Sequence, residues 1–119
     1  MIHYDPRDAV PGGESLPSLR RRILLGLLAE QECERLGLVV DGDDLRAMAR
    51  WFRESFDLQR GADLGAFMRD AGLSREALSE QLRTLCQVTK AQAHHAPCIE
   101  TMLPRYYAFA MLDGGGRGT

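Results

Sequence analysis

The residues best suited to chemistry lie close together late in the chain: His94, His95 and Cys98. Imidazole nitrogen and thiolate sulfur are ligands that zinc or nickel selects, and on one continuous helix His94 and Cys98 stand a turn apart. Pro97 interrupts that helix, and the one further imidazole is His3, near the N-terminus. The pattern therefore predicts a solvated helix end, where imidazoles sit favourably beside the last carbonyls. A small metal-binding protein or enzyme built on His94, His95 and Cys98 is the alternative. The other thiols, Cys33 and Cys86, complete an odd count of three with no CxxC spacing, which fits reduced, buried and inert cysteines. Asp43 and Asp44 pair two carboxylates, but at a helix start, where capping accounts for them. No Ser–His–Asp or Cys–His set assembles. The glycine-rich end has no lysine and no following helix, so it is not a phosphate loop. No catalytic residue is assigned and no cofactor is expected.

These side chains must be positioned by a chain of 119 residues, which suits one domain. It is 45% hydrophobic and 27% charged with a net charge of −2, a balance unlike the basic footprint of a nucleic-acid binder. The longest apolar run, Ile23 to Ala29, is far short of the roughly 20 residues that span a bilayer, so no membrane partner is expected. The first residues lack the basic-then-apolar order of a secretory signal, which predicts a cytoplasmic protein.

Helical periodicity dominates, and β-branched residues never alternate with polar ones. Residues 1–14 carry Pro6, Pro11, Gly12 and Gly13 and read as an extended arm; 113–119 read as a flexible tail. Between them, 15–112 are expected to form a single helical domain of five or six helices. The first runs from Pro17 to Leu36, with an apolar stripe through Leu16, Leu19, Ile23, Leu27 and Leu28 and a left-handed cap at Gly37. Asp41 caps the second, whose face is Leu45, Met48, Phe52 and Phe56, and Gly61 breaks the pattern after it. A short third helix, 63–71, closes at Gly72, and Ser74 opens a fourth, with Leu73 serving both ends. The fourth buries Leu78, Leu82, Leu85 and Cys86. The last segment, 98–112, contains Pro104 and predicts one kinked helix or two short ones.

Residues 17–93 resemble the helical N-terminal domain of SurA-like and trigger-factor-like chaperones, found also in parvulin-type prolyl isomerases. The likeness rests on Arg22 to Val40, a long helix ending Leu-Gly-hydrophobic; on Asp43-Asp44-Leu45, an acidic helix start; and on Phe67 to Leu82, the corner FMRDAGLSREALSEQL. The resemblance implies a peptide-binding scaffold without chemistry, since no length remains for a parvulin catalytic domain. Trp51-Phe52-Arg53, Phe56-Asp57-Leu58 and Asp63-Leu64 are also similar to segments of proteins associated with azole- or thioamide-forming peptide modification, which implies holding a substrate peptide for a partner enzyme.

Large flexible and aromatic groups point the same way. Met48, Trp51, Phe52, Phe56, Phe67, Met68, Met102, Tyr106, Tyr107, Phe109 and Met111 exceed what a small helical core hides. Either they make the core, or Trp51, Phe52, Phe56, Phe67, Tyr106 and Tyr107 line a groove for a peptide or protein partner. A homodimer, in which the surplus is subunit interface, is a further possibility. Arg20-Arg21-Arg22 reads as a solvated polar face of the first helix, with contact to an acidic partner or nucleic acid as the alternative. With Glu30, Glu32 and Glu34 it charges that helix against its own dipole, an arrangement that a partner surface explains.

Overall fold

A computed structural model describes residues 14–117, so the arm expected for 1–14 lies outside it except for Glu14. The fold is all-α. Among the described residues there are five helices and no strand: α1 Leu16–Leu36, α2 Gly42–Ser55, α3 Gly61–Ala71, α4 Arg75–His94 and α5 Ala96–Arg117.

The helix ends follow local chemistry. Gly37 and Gly72 adopt φ of 69° and 67°, left-handed values that glycine takes without a Cβ clash. Each stop is closed from the next residue: Leu38 N–H donates to Cys33 O and Leu73 N–H to Met68 O, both at 2.9 Å. Asp41 and Asp44 form a reciprocal capping box at the start of α2, with N–H donations of 2.9 and 3.0 Å. Ser74 Oγ accepts from Ala77 N–H at 3.0 Å and so starts α4 one residue after the Leu73 anchor. At the end of α2 the left-handed position falls on Asp57, φ 57°, and Leu58 N–H closes onto Arg53 O at 2.7 Å.

Two expected boundaries move. Gly61 is the first residue of α3 rather than a breaker, because first-turn amides need no helical partner and place little demand on propensity. α5 begins at Ala96, with Pro97 in its first turn where the missing N–H is harmless, and is continuous through Pro104 to Arg117, into the segment expected as a tail.

Contacts group the described residues into two compact units. One runs from Leu25 to Ala91; the other joins the described residues up to Leu24 with those from Gln92 onward. α1 and α4, at 21 and 20 residues, each reach about 30 Å and so contribute to both. The Leu25–Ala91 unit is built on α1–α4, and its buried apolar residues are Ala29, Cys33, Val40, Leu82 and Cys86. The apolar stripe expected on α1 faces inward in part: Leu16 and Leu19 are half-buried, Ile23, Leu27 and Leu28 are more than half exposed, and Gly26, Ala29 and Cys33 form the buried side. Small residues take that side because they let α4 approach closely. A Cβ built on Gly26 would lie 2.8 Å from Thr84 Cγ2.

Candidate functional site

Within the Leu25–Ala91 unit, α2 presents Asp44, Ala47, Met48 and Trp51 at helical spacing, and α4 presents Leu85, Cys86, Thr89 and Lys90 opposite them. Together they line an open groove of about 550 Å³. That volume lies in the range of small ligand sites, and the lining is mostly apolar. Lys90 Nζ and Asp44 Oδ2 are 3.2 Å apart and mark the end of the groove nearest the α2 N-terminus. Trp51, two turns along α2, is 53% exposed although its neighbours are apolar.

The aromatic groups expected to act together do so in part. Phe52 contacts Phe56 and Phe67 with ring centroids 5.3 and 5.9 Å apart, and Trp51 meets Phe56 edge-on at 6.4 Å. These four rings join α2 to α3 and hold the Trp51 side of the groove. Tyr106 and Tyr107 belong to α5 in the other unit, where both are exposed. None of the eleven large groups singled out from the sequence is fully buried, so they do not form a closed core.

Two titratable groups of the lining are shifted from their ordinary values. The Asp44 carboxyl is held below the usual aspartate value, first by the Asp41 backbone N–H and then by Lys90, so it stays ionised. Burial pushes the Cys86 thiol up, and its S–H donates to Asp44 O at 3.6 Å. Cys33 is likewise raised by burial and donates to Gln87 O at 3.4 Å. Both cysteines are buried, protonated thiols.

At the α4–α5 junction, His94 and His95 stand edge to face at 4.9 Å, and Cys98 Sγ is 3.9 Å from Met102 Sδ. Among the described residues no three His, Cys, Asp or Glu side chains are placed to hold a metal ion. His3 lies outside the described residues. No described helix is long and apolar enough to cross a membrane.

Sequence reasoning gave Trp51 to a peptide groove, Asp44 to a cap, Met48 to an apolar surplus, and Leu85 and Cys86 to a core; Leu85 is instead exposed and lines the groove beside Cys86. It singled out neither Ala47, Thr89 nor Lys90 as lining. The i, i+3, i+4, i+7 spacing of Asp44, Ala47, Met48 and Trp51 was the available signal. Compared with known proteins, the chain matches no family model, no curated protein and no solved structure.

Proposed function

We propose that this protein is a non-catalytic binding module of the cytoplasm that holds an apolar face of a partner polypeptide in the α2–α4 groove. It acts as a chaperone-like or accessory subunit, including one that presents a substrate peptide to a modifying enzyme. The observation that carries this reading is the open apolar groove itself, with Trp51 more than half exposed along it. Its two perturbed groups, Asp44 and Cys86, are held away from acid–base duty, which suits recognition. The resemblance to chaperone-type helical domains points in the same direction. On α2 the lining runs from Asp44 to Trp51, about 10 Å of groove wall, room for about two turns of a helical peptide.

Calorimetry with a leucine-rich amphipathic peptide of about 15 residues tests the reading. Saturable binding with a negative heat-capacity change, weakened by Trp51→Ala, is the expected result. Absence of binding, or binding indifferent to Trp51, refutes it.

A second reading, a homodimer, is favoured by α5. Leu103, Tyr106, Tyr107, Phe109, Met111 and Leu112 are 46–74% exposed on this one helix. Between Ala96 and Leu112 the helix carries just two charges, Glu100 and Arg105, a composition closer to an obligate interface than to a solvated surface. Light scattering with Tyr107→Lys tests it: a wild-type dimer that dissociates in the variant supports the reading, and a wild-type monomer at all concentrations refutes it.

A further inference from the structure

On the other side of α2 lies a second trough, of about 490 Å³, bounded by α2, α3 and α4. Leu64, Met68, Leu78 and Leu82 supply apolar walls, and Gly61 and Gly65, one turn apart on α3, add no side chain to it. A chain lying there can bring its backbone close to α3. No Asp or Glu lines this trough, whereas Arg46, Arg53 and Arg75 do. A fourth arginine stands beside it, since Arg69 Nη1 is 3.5 Å from a Cβ built on Gly65. Arg46 is paired with Asp43, and Arg53 donates to the Leu58 and Gln59 carbonyls at 2.9 and 2.6 Å, bonds that leave its charge uncompensated. Arg69 and Arg75 carry no ion pair among the described residues.

We infer that the α2–α3–α4 trough docks an acidic amphipathic segment of a partner protein, with aliphatic side chains against the leucines and carboxylates on the arginine rim. An apolar trough alone selects no occupant, but a rim of one sign does. Positive charge around a low-dielectric groove concentrates anionic ligands and excludes cationic ones. Arginine is also the side chain suited to bidentate contact with a carboxylate. A nucleic acid answers the charge and leaves the leucine and methionine walls uncovered, so a protein segment is the better fit. The inference does not rest on the α2–α4 groove, because Trp51 lines that groove and not this one.

The test uses the full chain and two fluorescein-labelled 15-residue peptides with the same leucine face, one with glutamates on the polar face and one with lysines. Anisotropy is expected to show binding of the acidic peptide, weakening as salt is raised from 50 to 300 mM. The lysine peptide is expected to bind far more weakly. Arg69→Glu and Arg75→Glu, both at exposed positions, are each expected to weaken the acidic peptide about threefold and together about tenfold. The double variant is expected to gain affinity for the lysine peptide while its circular dichroism stays that of the wild type. Equal binding of the two peptides, salt-independent binding, an unchanged double variant, or a single-stranded oligonucleotide competing as well as the acidic peptide each overturns the inference.

Discussion

Gly26→Ala is expected to reverse the sign of its effect with one methyl group on another helix. Replacing a mid-helix glycine by alanine ordinarily stabilises by about 1 kcal/mol, through helix propensity. Here the new Cβ would lie 2.8 Å from Thr84 Cγ2, well inside the roughly 3.5–4.0 Å at which two carbons attract. Thr84 has little room to yield. Its χ1 is restricted by β-branching, and turning the methyl away gives up the Oγ1–H donation to Glu80 O at 3.1 Å, a bond contributing about 1 kcal/mol. Overpacking of this kind costs about 1–3 kcal/mol, so Gly26→Ala alone comes out between neutral and about 2 kcal/mol destabilising. In a Thr84→Ser background the hydroxyl bond remains and the methyl is gone. There the same substitution is expected to stabilise by about 1 kcal/mol. Urea unfolding followed by circular dichroism on wild type, both single variants and the double variant gives the coupling as a double-mutant cycle, expected at about 1–3 kcal/mol. A Gly26→Ala effect of the same size and sign in both backgrounds would refute the close α1–α4 approach.

Three further outcomes follow from local geometry. Cys98 is exposed and is expected to react with a maleimide within minutes at pH 7, whereas Cys33 and Cys86, buried and with raised pKa values, should react only on unfolding; mass spectrometry of the labelled chain checks this. Asp57 holds a left-handed φ of 57° at the end of α2, so Asp57→Gly is expected to raise stability by up to about 1 kcal/mol in the same urea assay. Asp44 has its folded pKa depressed, so its contribution is complete above the unfolded value near 4 and is lost as pH falls through the lower folded value. The stability gap between wild type and Asp44→Asn should therefore be open at pH 7 and narrow below about pH 4.

What the sequence discloses and what it conceals divide along the range of the interactions. Gly37, Asp41, Gly72 and Ser74 act on amides within five residues of themselves, so helix starts and stops could be read from spacing. The buried side of α1 could not. Leu16, Leu19, Ile23, Leu27 and Leu28 make the more hydrophobic stripe, but close helix approach rewards Gly26, Ala29 and Cys33, and that depends on Thr84, 58 positions away. The aromatic set was half legible for the same reason: Trp51 and Phe52 share α2, Phe56 caps its end, and Phe67 arrives through one short loop. Nothing local tied Tyr106 and Tyr107 to them. The arginine rim was invisible, since Arg46, Arg53, Arg69 and Arg75 come together only when three helices are placed.

Trp51 is the sole tryptophan in the chain and lines the α2–α4 groove, so its emission reports occupancy without any label. Titration with the leucine-rich amphipathic peptide is predicted to shift that emission to shorter wavelength, saturably, as water leaves the half-exposed indole. Emission that stays unshifted while calorimetry records peptide binding would place the ligand elsewhere and contradict the groove as the site of recognition.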